Sequence, residues 1–282
     1  MEFEFNLDRV DLVAPALDEQ AGAPVEPPED LYEVIGTEGD RYRDWFTRAC
    51  LYVVGQSLAG ARDPDGDVVV IGTEYGNTAA LLGLKREATA KGKLLSPQYF
   101  PSATSSSAAA FLSMRIGATG GNFTINAGLL TPIVALWQAL CGLRYRRGAG
   151  SRLLVGDVYS REVLADAEKD TPDLACESGL AHARFTAGTE FGARFRFDPP
   201  GPADAAGAAP RGGTRLHGPV RASSEHYGRN GAFAVADLLN AARSLPAGAS
   251  VGLECRTRQD LRGEVRITRH GDSALDTRRS TE

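Results

Sequence analysis

Apolar positions along this chain recur with periods that mark its elements. "MEFEFNLDRVDLV" alternates apolar and polar residues and predicts a first strand near residues 2 to 13. In "DRYRDWFTRACLYVVGQSLAGA", Tyr42, Trp45, Phe46, Ala49, Cys50 and Val53 return at helical spacing. That predicts an amphipathic helix laid on a core, with Cys50 as a packed thiol. "GDVVVIGTEYG" is a continuous apolar run closed by glycines, the pattern of a strand buried on both faces of a parallel sheet. "SATSSSAAAFLSMRIGATGG", residues 102 to 121, predicts a closely packed helix with a small-residue face, stopped by Gly120 and Gly121.

"NFTINAGLLTPIVAL" follows as a short strand, a turn at Ala127-Gly128 and a helix over about 130–147. Pro132 suits the first turn of that helix, where its missing N–H costs nothing. The basic "RYRR" suits its negative end. "RLLVGD" at 152–157 is a further buried strand, so strand, helix and strand form a right-handed crossover and the class is α/β. Beyond it, "ACESGLAHARFTAG" and "GARFRFDPP" alternate and predict a hairpin split at Gly188 and Gly192. Residues 199–213 are Pro/Gly/Ala-rich and predict a flexible loop. "GAFAVADLLNAARSL" predicts a helix, "SVGLECRT" and "GEVRITR" a strand pair turning near Asp260 to Arg262, and 271–282 a frayed tail.

Composition narrows the function classes. A chain of 282 residues, 43% hydrophobic with a formal charge of −5, can bury a sizeable core. No basic stripe marks it for nucleic acid, so that partner is not expected. No 18-residue apolar run marks a membrane span, and no positive, apolar leader marks secretion, leaving the cytoplasm as the default location. Cys50, Cys141, Cys176 and Cys255 are too scattered to predict a metal site or a disulfide framework. The loop after "VVVIG" has neither a GxGxxG nor a P-loop lysine, so no nucleotide cofactor is expected. Ser105, Ser106 and Ser107 lack a GxSxG elbow and read as small packing residues.

The strand-to-helix corner is where an enzyme keeps an anionic nucleophile, because the first helical N–H groups stabilise charge there. Here it holds Leu129. The succession "VVVIGTEYGN", "LSPQYFPSATSSSAAAFLSMRIGATGGNFTINAGLLTPIVALWQAL", "RLLVGDVYS", "CESGLAHARF" resembles the N-terminal half of β-ketoacyl synthases of the thiolase superfamily, chiefly over 67–185. Pro101, Ala109, Ser113, Gly117, Gly120 and Asn122 fit that pattern, and Leu129 falls on the nucleophilic cysteine. "SSEHYGRNGAFAVADLL" looks like the segment of one family histidine, with Glu225 or His226 near its position. His217-Gly218 imitates the other motif but lies too close to His226, so no catalytic residue carries over. Condensation needs a thiolate to take the acyl chain and imidazoles to support decarboxylation, and a leucine supplies neither.

The sequence therefore resembles a shortened, non-condensing chain-length factor of a type II polyketide or aryl-polyene synthase. The resemblance implies a single domain with a thiolase-like layered α/β/α/β/α fold, its ketosynthase-like half over 1–198 and a reduced C-terminal half over 214–270. It implies a heterodimer with a catalytic ketosynthase, paired across Asn122, Phe123, Thr124, Ile125 and Asn126, and an acyl carrier protein bearing the growing chain. Phe111, Leu112 and Leu129 would then line or close the acyl tunnel, with no cofactor and no metal. Two other classes remain open: a homodimeric scaffold that holds a carrier protein, and an acyl-transfer enzyme using Ser105, Ser106 or Ser107.

Overall fold

In the computed structural model, residues 2–13, 27–58, 66–92, 96–145, 147–170, 172, 174–199, 212–218 and 227–271 are described. The alternating N-terminus is β1 (Glu2–Val13). The apolar run at 68–72 is β2 (Val68–Gly72), buried at every residue. It pairs in parallel with β3 (Asn122–Ile125) on one side and β4 (Gly150–Asp157) on the other. Continuous burial explains the unbroken Val/Ile run: both faces of this strand meet helices, so neither needs polar residues.

Helices α1 (Leu31–Ile35), α2 (Trp45–Leu58) and α5 (Ser107–Ile116) cover one face, burying Leu51, Val54, Val69, Ile71, Leu112 and Leu154 in one cluster. Helices α6 (Thr131–Arg144) and α8 (Gly231–Arg243) cover the other, with Val68, Val70, Leu136, Leu140, Leu153, Val235 and Leu239 in a second, larger cluster. Two connecting helices, α3 (Thr78–Lys91) between the parallel strands β2 and β3 and α7 (Arg161–Asp170) after β4, are not read from the sequence. No residue of α3 is buried, so the helix carries little periodic apolar signal. A short α4 (Phe100–Ala103) precedes α5.

Three expectations change. The helix over 102–121 divides into α4 and α5, and it stops at Gly117, whose φ of 69° and N–H bond to Ser113 O form a left-handed C-cap. Gly120 and Gly121 come later. The expected hairpin is instead one 20-residue strand, β5 (Gly179–Asp198). Gly188 marks a close approach rather than a turn: a Cβ there would lie 2.1 Å from Asn6 Cγ. β1 runs antiparallel beside this strand, absorbing register shifts at Phe5/Asn6 and Leu7/Arg9. Its Phe5 packs edge-on to Phe185 and stacked on Phe191, at 5.5 and 5.6 Å between ring centroids. Finally, the loop ends one residue early, because Gly213 already opens β6 (Gly213–His217). The rest of that loop, 200–211, and the tail 272–282 lie outside the described residues.

The strand pair near the C-terminus forms as read, as β7 (Ser250–Arg256) and β8 (Arg262–Arg269), with Asp260 at φ 63° in the turn. Sheet order is β3-β2-β4-β5-β8-β7-β6, with β1 on β5. The sheet is thus mixed: β2, β3 and β4 are parallel, and the pairings from β4·β5 onward are antiparallel. Val251, Leu253, Cys255, Val265 and Ile267 turn inward to the second cluster, while Arg215, Glu254, Glu264 and Arg266 alternate onto the opposite face.

Candidate functional site

The strand-to-helix corner forms where the sequence places it. β3 ends at Ile125, and the chain turns through Gly128, whose φ of 55° favours glycine. Ala127 N donates to Thr131 Oγ1 at 2.9 Å, and Pro132 sits in the first turn of α6. The helix runs 131–144 rather than to 147. Leu129 is 7% exposed. Its Cδ1 comes so close to Gly212 that a Cβ there would lie 2.8 Å away, so the leucine joins the corner to the chain entering β6.

Beside the corner lies a polar cluster that sequence reasoning missed. Arg229 donates from Nε and Nη2 to Glu74 Oε2 and Oε1 at 2.7 and 2.5 Å, a bidentate pair with side chains 5% and 14% exposed. Its guanidinium lies 5.2 Å over the Tyr75 ring, and Nη1 reaches Ala167 O. The Glu74 backbone is tied to the corner too, through Asn126 Nδ2 to Glu74 O at 2.7 Å. Next along the chain, Asn230 caps α8 by accepting from Ala232 N. Its amide donates to Asp157 O, Glu177 O and Gly179 O. One visible signal existed: a charged residue just past a buried parallel strand, at the strand end where sites form. Its partner stands 155 residues away, which no local pattern shows.

The glycine-closed loop after β2 is filled from within. Asp157, 4% exposed, accepts from Thr73 Oγ1 at 2.5 Å and from the backbone N–H groups of Glu74, Tyr75 and Gly76 at 3.1, 2.8 and 3.1 Å. An internal carboxylate therefore holds the amides that a phosphate would need. Tyr159, packed against Tyr75, has its hydroxyl pushed well above the usual tyrosine range by burial.

The remaining candidates sit elsewhere. Phe111 is half-buried with the Arg43 guanidinium 5.8 Å from its ring centroid, and Leu112 is fully buried in the cluster under α2. Both lie on the face opposite α6, so the structure does not gather them with Leu129. Asn122 to Ile125 form the end strand of the sheet, with Asn122 exposed and Phe123, Thr124 and Ile125 half-buried. Ser105 and Ser106 are exposed, while Ser107 is buried, with its hydroxyl on Thr104 Oγ1 and Pro101 O. Cys50, Cys141 and Cys255 are buried, which pushes each thiol up, Cys255 to about 12. His217 faces Glu254 at 3.5 Å, and His270 meets Thr189 O. Glu225 and His226 lie outside the described residues.

One contact imitates a hydrolase site. Ser57 Oγ lies 3.1 Å from His182 Nδ1, with Asp11 Oδ2 3.5 Å from the same nitrogen. In a triad the serine and the carboxylate meet opposite ring nitrogens. Here they share one, and the Ser57 hydroxyl donates to Val54 O. The contact is structural. Among the described residues no group of three or more His, Cys, Asp or Glu could hold a metal ion. Among them, no helix is long and apolar enough to cross a membrane.

No family model and no curated protein matches this chain. Solved structures do. The ishigamide ketosynthase/chain length factor superposes with a TM-score of 0.64 at 14% identity, over 87% of this chain and 86% of that one. The ketosynthase ApeO in complex with its chain length factor ApeC, from Xenorhabdus doucetiae, gives 0.50 at 12%, over 68% and 83%. The chain has the ketosynthase/chain-length-factor fold. The motif resemblance over 67–185 and the backbone thus point to the same architecture, a mixed central sheet between helices. At this identity the likeness speaks for the fold, and the chemistry has to come from the corner itself.

Proposed function

We propose that this chain is a non-catalytic chain-length-factor subunit that pairs with an active ketosynthase and shapes the acyl tunnel of a type II polyketide synthase. One observation carries the reading: the corner keeps its strand, turn and helix, while the position to which the family resemblance assigns the nucleophile is a buried leucine beside a Glu74–Arg229 pair. Such a corner has no nucleophile to acylate and no described imidazole to support decarboxylation. The partner subunit supplies both, and an acyl carrier protein delivers the chain to it.

The edge position of β3 supports the pairing. An unpaired strand edge invites another chain, and among the described residues β3 has one such edge, which on this reading meets the ketosynthase along residues 122–126. Met114 on the neighbouring α5, 68% exposed, extends that border with apolar surface. On this reading Leu129 stands at the nucleophile position, and Phe111, half-buried on α5, lines the tunnel that the two subunits enclose.

Product length in a system reconstituted with ketosynthase and carrier protein tests the tunnel assignment. Phe111→Ala frees ring volume at a half-buried site and is expected to lengthen the product. Leu112→Ala is a poorer probe, since it opens a core cavity costing about 2–5 kcal/mol. Unchanged product length in a folded Phe111→Ala complex contradicts the assignment.

A further inference from the structure

Away from the corner, four elements close around one imidazole. His182 on β5 is fully buried, opposite Asp11 of β1 on one side and Leu154 of β4 on the other. Its Nδ1 faces Ser57 of α2 at 3.1 Å and Asp11 at 3.5 Å, and its Nε2 faces Arg152 Nη1 of β4 at 3.3 Å. Two independent facts assign the ring proton. Guanidinium groups only donate, so Nε2 must present its lone pair to Arg152. The Ser57 hydroxyl gives its proton to Val54 O at 2.9 Å, so its oxygen accepts from Nδ1–H. The ring is neutral, with its hydrogen on Nδ1.

A second proton would have to sit on Nε2, N–H against guanidinium. Arg152 is held in place by Asp67 at 3.1 Å, which also takes Arg184 at 2.8 Å, with Arg184 reaching Asp8 beyond. On the β1 side, Arg9 pairs with Asp11 at 2.8 Å and donates to Ser57 O. Asp11 favours the charged ring, but burial and Arg152 outweigh it and hold the imidazole below its ordinary 6.5.

Beyond this contact, the second half of β1 is held by its ladder with β5 and by the contacts of Asp8 with Arg184 and Thr186, with no fully buried side chain of its own. Phe3, Phe5 and Leu7 of β1 are buried, whereas its second half, Asp8 to Val13, is exposed or half-buried, with Leu12 40% exposed. Beneath that end lies a 50 Å³ apolar cavity lined by Val13, Leu31, Trp45, Tyr52, Val53 and Leu180 among others. We propose that His182 is a proton-sensitive latch: neutral, it ties the second half of β1 and the last turn of α2 to the sheet, and protonated, it releases them and opens this apolar seam.

Hydrogen exchange on the full chain at pH 7.5 and 5.0, corrected for intrinsic rates, tests the latch. Protection over residues 8–13 is expected to fall by about tenfold or more at the lower pH, while residues 3–7 hold theirs. His182→Gln stays neutral and keeps a donor and an acceptor, so it should lose this pH response. Equal protection at both pH values, or the same loss in His182→Gln, overturns the proposal. Should that variant fail to fold, nitrogen NMR of wild-type His182 decides. A hydrogen on Nδ1 and titration below 6.5 support the latch, and a hydrogen on Nε2 or titration at 6.5 or above overturns it.

Discussion

Burying Glu74 and Arg229 costs desolvation that their mutual bidentate contact chiefly offsets, so losing one partner is far worse than losing both. Arg229→Met should therefore lower stability by about 3–5 kcal/mol in denaturant unfolding, taking the guanidinium away from a largely buried carboxylate beside the corner. Adding Glu74→Leu should recover most of that loss. Equal destabilisation by single and double variants would mean that the pair is not what secures this site. A second residue-level effect follows from His182. Its folded pKa lies below the unfolded 6.5, so the unfolded chain binds more protons in the window between them. The stability it contributes is complete above 6.5 and is lost as pH falls through the folded value. Unfolding midpoints measured down from pH 7.5 should drop in wild type and drop less in His182→Gln.

At the scale of elements, Asn230 does two jobs at once. It accepts from Ala232 N as the cap of α8, and its amide donates to three carbonyls that end β4 and enter β5. Asn230→Ala forfeits the cap and leaves buried carbonyls unsatisfied, an expected loss of about 2–4 kcal/mol by denaturant unfolding. Asn230→Asp keeps the cap acceptor but turns an oxygen toward those carbonyls, and should be no better. Elements of this kind were only partly legible. β2 could be read from its unbroken apolar run, and α2, α6, α8 and the β7–β8 pair because each buries one periodic face. α3 could not, since none of its residues is buried. β5 was misread because glycines that normally break strands here admit Asn6 and the His270 ring instead. Leu129 at its corner was legible from local pattern, whereas Glu74–Arg229 joins distant segments and needed the fold to bring them together.

Taken whole, the molecule pairs a complete strand-to-helix corner with a terminal strand, β3, that has one edge unpaired among the described residues. The two features belong together if the chain lends its architecture to another subunit's chemistry. On the proposed reading a leucine in place of the family's cysteine leaves fold and interface intact, because Leu129 supplies apolar volume there. The most direct test is native mass spectrometry of this chain co-expressed with a candidate ketosynthase and captured by affinity. A one-to-one complex is expected, and it should be lost with Ile125→Asp, which puts a charge into the pairing strand while circular dichroism shows the fold unchanged. A stable monomer or homodimer that takes up none of the ketosynthases offered would contradict the account.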